Sequence, residues 1–143
     1  MKELKKYWKG PTILKGIMNI QDAIKSVKEG FDAIWVSNHG GRQFDGAVSS
    51  ISVLPEIVRA VDGKTKILFD SGVRSGLDIM RALALGADFV FLGRAFCYGV
   101  SALGKIGGHH VYEILKEELS CNMKQVGVET LNEIRKLEPV LFN

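Results

Sequence analysis

A histidine and an arginine stand three residues apart in a glycine-bearing loop, at His39 and Arg42, directly after the apolar run 33–36. An apolar run that ends in such a loop predicts a buried strand with reactive side chains at its exit. Imidazole can accept a proton near neutral pH, and a guanidinium can hold a carboxylate through two parallel hydrogen bonds. The pair therefore indicates a small carboxylate substrate with an adjacent acidic position. A structural alternative stays open, in which His39 caps the loop and Arg42 pairs with Asp45.

Three further segments place charged residues or glycines directly after predicted strands. Lys15 follows a short apolar segment, although an ordinary surface lysine would look the same. The segment 70–74 (Asp-Ser-Gly-Val-Arg) precedes a predicted helix, and Gly93-Arg94 follow the last predicted strand. Glycines let backbone N–H groups approach an anion, a helix N-terminus adds partial positive charge, and arginines add donors. These two segments are predicted to form a phosphate site.

Apolar periodicity predicts four strands, each followed by a helix. The predicted strands span 12–17, 33–36, 66–69 and 89–92. The predicted helices span 20–30, a segment that starts at Pro55, 75–86, about 101–123 and about 130–137. Ser75 and Asp78 form a capping-box pattern at the start of the third helix. Residues 1–11 are interpreted as the end of a preceding helix.

Tandem βα units imply an α/β fold with parallel strands, either an open doubly wound sheet or part of a (β/α)₈ barrel. The first strand lacks a following GxGxxG motif, which favours the barrel. A complete barrel takes about 250 residues, whereas this chain has 143. Because barrel enzymes often bind phosphate between the last two loops, we predict the C-terminal half-barrel, strands five to eight.

The predicted domain organisation is one partial barrel over residues 1–143. It has four βα units in 12–123 and a C-terminal helix and tail in 124–143. Such a half-barrel leaves two open sheet edges. Unpaired apolar edges predict association, either as a homo-oligomer or with a complementing N-terminal half-barrel.

The composition is that of a globular protein and excludes several functional classes. Hydrophobic residues make up 46% of the chain and the net charge is only +3, so no face for nucleic acid is predicted. Cys97 and Cys121 lack ligand or disulfide spacing, and no Glu or Cys stands at metal spacing from His109-His110, so no metal site is predicted. No signal-peptide pattern or membrane-length apolar run is present, which predicts a cytoplasmic location. Four aromatic residues are predicted in the strand core: Trp35, Phe69, Phe89 and Phe91.

Five segments together resemble one enzyme family. They are 14–16 (Leu-Lys-Gly), 37–43 (Ser-Asn-His-Gly-Gly-Arg-Gln), 70–76 (Asp-Ser-Gly-Val-Arg-Ser-Gly), 82–87 and 92–94 (Leu-Gly-Arg). Their order and spacing resemble the FMN-dependent α-hydroxy acid oxidases and dehydrogenases, which include glycolate oxidase, lactate oxidase and L-lactate dehydrogenase. The segment 37–43 is highly specific. The resemblance extends over essentially the whole chain and corresponds to the C-terminal part of a family member.

The resemblance implies a TIM barrel that binds FMN and oxidises an L-2-hydroxy acid, with L-lactate favoured, to the 2-oxo acid. Lys15 resembles the lysine beside flavin N1, whose charge stabilises the reduced, anionic flavin, and Ser37 resembles a flavin contact. His39 resembles the general base and Arg42 the carboxylate anchor, so both are expected to bind the substrate. The implied ribityl and phosphate site consists of Asp70, Ser71, Gly72, Val73, Arg74, Gly93 and Arg94.

The chain departs from the family pattern in two respects. Ser71 stands where many members have glycine, and it keeps the backbone N–H that a phosphate site needs. The N-terminal half, which in the family supplies active-site tyrosines and the aspartate that pairs with the histidine, lies outside the resemblance. Two alternatives stay open: a non-catalytic half-barrel that at most binds FMN or a phosphate, and another phosphate-binding barrel such as a relative of inosine monophosphate dehydrogenase or type 2 isopentenyl diphosphate isomerase. The His39 and Arg42 pair argues against the second alternative.

Overall fold

The computed structural model describes residues 3–137, which form a four-stranded parallel sheet and seven α-helices. The strands are β1 (Ile13–Ile17), β2 (Ala33–Val36), β3 (Lys66–Phe69) and β4 (Phe89–Val90). The helices are α1 (Leu4–Tyr7), α2 (Ile20–Lys28), α3 (Ser50–Val61), α4 (Gly76–Ala84), α5 (Arg94–Leu103), α6 (Gly107–Gln125) and α7 (Leu131–Ile134). The strands lie in the order β1-β2-β3-β4, so each strand pairs with the next one along the chain. Successive parallel strands joined through helices are the repeating unit of an α/β barrel.

Only one face of the sheet is buried. Ile34 and Val36 are fully buried and Phe69 is 1% exposed, and all three pack in one core with Leu54 and Ile57 of α3. Because side chains alternate along a strand, the residues between them point to the opposite face. In a complete barrel that opposite face becomes the interior.

The aromatic side chains divide between the two faces of the sheet. Phe69 is buried, as predicted, but Phe89 and Phe91 are 56% and 36% exposed, so their prediction as core was wrong. Phe89 pairs in register with Leu68, which places it on the face opposite Phe69. Trp35 lies on that face as well and stacks on Phe91 with 4.1 Å between ring centroids. Phe89 and Phe91, which would face the interior of a complete barrel, are therefore exposed to solvent.

Helix α4 begins as the sequence predicts, but α3 does not. The Ser75 hydroxyl accepts a hydrogen bond from the Asp78 N–H, and the Asp78 carboxylate accepts one from the Ser75 N–H, which completes the predicted capping box. Helix α3 begins at Ser50 rather than at Pro55, which lies inside the helix. The Ser50 hydroxyl donates to the backbone carbonyl of Asp70 at 2.8 Å. This tertiary hydrogen bond connects the first residue of α3 to the segment after β3.

The C-terminal region differs most from the prediction. Strand β4 ends at Val90 rather than at residue 92. The single helix predicted over 101–123 is two helices, α5 and α6, and α5 already begins at Arg94. The break lies at Gly104, whose φ of 61° and ψ of −135° are outside the helical region. The predicted final helix is the short α7, and residues 138–143 of the predicted tail lie outside the described residues.

At the end of the sheet away from the predicted site, Asp88 joins β3 to the start of β4. Its carboxylate accepts hydrogen bonds from the Ile67 N–H and from Lys66 Nζ, both at 2.9 Å. Partial burial raises the pKa of Asp88, but these bonds outweigh it and hold the pKa below its usual value. We expect Asp88→Ala to lower the free energy of unfolding by about 1–3 kcal/mol, because it leaves the Ile67 N–H without its acceptor. Urea unfolding would show this, with the exposed Glu56→Ala on α3 as the control; equal midpoints for the two variants would contradict it.

Candidate active site

Lys15 of β1 and the segments that follow β2, β3 and β4 meet around one cavity of about 320 Å³. It is lined by Lys15, His39, Gly40, Arg42, Asp70, Ser71, Gly72, Val73, Arg74, Phe91, Leu92, Gly93, Arg94 and Cys97. The structure thus brings together ten of the eleven residues that the sequence singled out. The exception is Ser37, which is 2% exposed and lies beneath the cavity lining. The ends of parallel strands converge at one mouth, which explains why residues distant in sequence meet here.

The His39 loop is held by a set of local hydrogen bonds. The Ser37 hydroxyl accepts from the His39 N–H at 3.2 Å, and the Asn38 side-chain oxygen accepts from the Gly40 N–H at 3.0 Å. His39 and Gly40 both have positive φ, 57° and 67°. A side chain at Gly40 would also come within 3.0 Å of the Arg94 guanidinium, which donates to the Gly40 carbonyl at 2.8 Å. The loop therefore needs glycine at position 40.

The two side chains best suited to substrate chemistry have no protein partners in the described part of the chain. Within residues 3–137, no hydrogen bond or ion pair engages the His39 imidazole or the Arg42 guanidinium. The alternative pairing of Arg42 with Asp45 is not formed. Both side chains are exposed and border the cavity. They are free to bind a ligand that carries an acceptor and an acidic hydrogen.

Lys15 is not an isolated surface lysine, because it forms an ion pair with Asp70 across the intervening strand β2. Its ammonium also lies 3.6 Å from the centroid of the Trp35 ring. Burial raises the pKa of Asp70, but hydrogen bonds from Lys15, Ser37 and Ser71 outweigh this and hold the pKa below its usual value. The mouth thus contains a fixed positive charge at Lys15 with its counter-charge beside it.

The lowered pKa of Asp70 predicts a specific pH dependence of stability. A carboxylate whose pKa is lower in the folded than in the unfolded state stabilises the fold above the unfolded pKa of about 3.9, and this contribution is lost as the pH falls through the folded value. We expect the difference in free energy of unfolding between the wild type and Asp70→Asn to be largest near neutral pH and to vanish in strong acid. Urea titrations from acid to neutral pH would show it; a difference that grows toward low pH would contradict the assignment.

The segments after β3 and β4 present an open backbone to the cavity. A Cβ added at Gly72 or Gly93 would meet no atom within 4 Å, and φ at Gly72 is 86°. Among the described residues, none accepts a hydrogen bond from the backbone N–H of Gly72, Val73 or Gly93. Gly72 and Gly93 are exposed, Val73 is 4% exposed but borders the cavity, and their N–H groups next to Arg74 and Arg94 are suited to an anion such as a phosphate. These residues therefore fit the phosphate of FMN.

Two residues that shape the mouth, Ser50 and Cys97, were not predicted from the sequence. The Ser50 side chain is 1% exposed, and its hydroxyl donates to the carbonyls of Asp70 and Ser71, so it supports the loop after β3 from below. A serine just ahead of an apolar helical pattern was the available signal, since that is a typical helix start. Cys97 borders the cavity because α5 begins at Arg94, a helix that the periodicity did not separate from α6.

The described residues add no metal or membrane feature to this site. Within 3–137, no group of three or more His, Cys, Asp and Glu residues is arranged to hold a metal ion. In the same range, no helix has both the length and the apolar character that a membrane crossing requires. Cys97 and Cys121 are both exposed and free.

Comparison with known proteins gives consistent results. The model of the family described as "FMN-dependent dehydrogenase" matches residues 1–138. An L-lactate dehydrogenase of Pseudomonas putida (strain GB-1) is 48% identical over 93% of this chain and 35% of its own length. An FMN-dependent alpha-hydroxy acid dehydrogenase of Schizosaccharomyces pombe is 52% identical over 90% of this chain and 31% of its own length. This chain thus spans about a third of the curated relatives it matches.

Mandelate oxidases are among the solved structures that match. One, a variant with (S)-mandelic acid, superposes with a TM-score of 0.93 and 41% identity over 99% of this chain and 42% of its own. Another, a mutant with a monooxide FMN adduct, has a TM-score of 0.90 and 42% identity over 96% of this chain and 44% of its own. The predicted family and fold, the C-terminal half of a (β/α)₈ barrel, are confirmed, as is FMN as the family's cofactor. The chain belongs to the FMN-dependent dehydrogenase family, whose members oxidise α-hydroxy acids.

Proposed function

We propose that this chain forms the FMN-binding and base-bearing half of an enzyme that oxidises an L-2-hydroxy acid, L-lactate, to the 2-oxo acid. The observation that carries the proposal is the pair of partner-free side chains, His39 and Arg42, on one loop beside the open glycine backbone of the segments after β3 and β4. Lactate is favoured over other 2-hydroxy acids because L-lactate dehydrogenases recur among the similar proteins.

The cofactor would be held by Lys15 of β1 and by residues that follow β2, β3 and β4. The N–H groups of Gly72, Val73 and Gly93 and the guanidinium groups of Arg74 and Arg94 would bind its phosphate. Asp70 and Ser71 offer oxygens for the ribityl hydroxyls, and Ser37 and Lys15 would lie against the flavin. When bound, FMN supplies the two-electron acceptor that oxidation of a hydroxy acid requires.

The side chains of this chain would divide the remaining work. Arg42 would hold the substrate carboxylate through its planar fork and so orient the carbon that bears the hydroxyl. His39 would take up the proton that the hydroxyl or the α-carbon loses, according to whether the electrons leave as hydride or as a carbanion pair. Lys15 would stabilise the negative charge that accompanies flavin reduction.

The same proposal includes completion of the barrel and a cytoplasmic location. The exposed Phe89 and Phe91 and the two sheet edges at β1 and β4 favour association with a complementing half-barrel or with a second copy of the chain. The limited share of the relatives' length that the chain spans favours the complementing half. The absence of a membrane-spanning helix within residues 3–137 is consistent with the location.

Anaerobic reduction of bound flavin tests the proposed reaction. The chain is loaded with FMN, freed of oxygen and mixed with L-lactate, D-lactate or L-mandelate. Loss of the visible flavin absorbance with L-lactate, and not with D-lactate, is the expected result. Faster bleaching by L-mandelate than by L-lactate would make L-mandelate the preferred substrate and leave the proposed class of reaction unchanged. Bound flavin that no 2-hydroxy acid bleaches would leave the chain as a non-catalytic FMN-binding half-barrel.

A further inference from the structure

Ser71 adopts a backbone conformation that a side chain disfavours. Its φ is 80°, which makes it one of three non-glycine residues with positive φ among residues 3–137. Glycine adopts such a conformation without steric cost, whereas an L-residue does so only when its surroundings stabilise it. Gly72 follows with φ 86°, so the chain uses glycine at the next position, where the same freedom is needed. The serine side chain at 71 therefore calls for an explanation in its contacts.

The Ser71 hydroxyl makes two hydrogen bonds that join two different loops. It accepts from the Gly40 N–H at 3.1 Å and donates to the Asp70 Oδ1 at 2.8 Å. Gly40 lies in the loop after β2 and directly follows His39, while Asp70 ends β3. A hydroxyl can donate and accept at once, which no apolar side chain can reproduce. One atom thus links residues 31 positions apart in sequence.

The link continues from Asp70 to the lysine at the mouth. The other carboxylate oxygen, Asp70 Oδ2, pairs with Lys15 of strand β1. The Ser50 hydroxyl, buried at 1% exposure, donates to the carbonyl oxygens of both Asp70 and Ser71 and holds their backbone from below. Gly40, Ser71, Asp70 and Lys15 therefore form one continuous hydrogen-bonded series, from the loop after β2 through the loop after β3 to strand β1. Such networks hold side chains in one arrangement more firmly than separate pairs do.

We propose that Ser71 is a positioning residue that couples the loop of His39 and Arg42 to the Asp70–Lys15 pair. Removal of its hydroxyl breaks the hydrogen bond between the two loops and leaves the Gly40 N–H only the Asn38 side-chain oxygen of its own loop as acceptor, so the His39 loop can move relative to the cofactor site. The expected effect on FMN binding rests on the proposed function. The coupling between the two loops is a property of the chain without cofactor. The two can therefore fail separately.

Amide hydrogen exchange at Gly40 tests the coupling directly in the chain without cofactor. In Ser71→Ala, exchange at Gly40 relative to that at Ile34 in the core of β2 should rise about threefold to tenfold, because the Gly40 N–H loses one of its two acceptors and keeps only the Asn38 side-chain oxygen. Ser71→Gly also removes the hydroxyl but relieves the positive φ, so it should show the same rise even if Ser71→Ala folds poorly. Ser52→Ala is the matched control, because it loses only the exposed hydrogen bond to the Ser49 carbonyl.

A second measurement connects the coupling to the cofactor. FMN affinity, followed by quenching of flavin fluorescence, should fall about fivefold to tenfold in both Ser71 variants and stay unchanged in Ser52→Ala. Gly40 exchange within about twofold of wild type in both variants would overturn the proposal and leave Ser71 as a strained residue without a coupling role. If Gly40 exchange increases but FMN affinity does not change, Ser71 holds the His39 loop without affecting the FMN site. That result would overturn its proposed role in FMN binding. A wild-type chain that binds no FMN would count against the proposed function, while Gly40 exchange would still decide the coupling.

Discussion

Replacing His39 by alanine is expected to slow the bleaching of bound flavin by L-lactate at least about 100-fold while FMN stays bound, since general bases contribute about 10²–10⁴ to such rates. The reason is geometric as well as chemical. His39 borders the cavity, and no residue within 3–137 engages its imidazole, so its nitrogen is available to a substrate. Its side chain contributes no hydrogen bond to the fold, and stability should change little. Stopped-flow absorbance under anaerobic conditions measures the rate.

Two further variants sharpen this test. His110→Ala removes an exposed histidine at the start of α6 that does not line the cavity, so it should leave the bleaching rate unchanged. Arg42→Lys keeps the positive charge but loses the planar fork, and it should raise the lactate concentration needed for half-maximal bleaching by about tenfold or more. A His39→Ala chain that bleaches as fast as the wild type would remove His39 from the reaction.

The largest expected loss of stability comes from Gly107→Ala, where α6 begins against α5. A Cβ at Gly107 would lie 2.0 Å from the Gly99 carbonyl oxygen and 2.3 Å from its carbonyl carbon. Both atoms belong to backbone, so the contact can be relieved only if the two helices separate. Overpacking of this kind costs about 3 kcal/mol or more when backbone must move, a large part of the stability of a small domain. Urea unfolding, or loss of soluble protein, would register it.

The neighbouring glycine supplies the matched control for Gly107→Ala. A Cβ at Gly108 would meet no atom within 4 Å, and the residue lies in the same first turn of α6. Because alanine favours helix by up to about 1 kcal/mol over glycine, Gly108→Ala should be neutral or stabilising. Similar unfolding midpoints for the two variants would show that α5 and α6 do not pack as closely as the structure describes.

The strand exits could be predicted from the sequence, because each is marked by local chemistry. The predicted strands 33–36 and 66–69 each end at a polar, glycine-bearing loop. After each loop, the spacing of apolar residues changes to that of a helix. Once the strands are taken as parallel neighbours, the side chains after them must share one mouth. The cavity gathered His39, Arg42 and the 70–74 segment for that reason.

Features that depend on contacts distant in sequence could not be predicted. Helix α3 begins at Ser50, whose hydroxyl bonds to the distant Asp70 carbonyl, whereas Pro55, the local signal for a helix start, lies inside the helix. The exposure of Phe89 and Phe91 follows from which face of the sheet the helices cover, whereas an apolar run reports only that its residues are apolar. Likewise, the Lys15–Asp70 pair joins residues 55 positions apart and no spacing rule indicates it.

A comparison of FMN with riboflavin tests whether the segments after β3 and β4 bind the phosphate of FMN. Riboflavin has the same ring and ribityl chain but no phosphate. We expect the chain to bind FMN at least about tenfold more tightly than riboflavin, because charged hydrogen bonds to an anion each contribute about 1.5–3 kcal/mol. Arg74→Gln should reduce that preference, and Arg59→Gln, an exposed arginine on α3, should not. Equal affinity for the two flavins, or a preference that survives Arg74→Gln and Arg94→Gln together, would contradict the account.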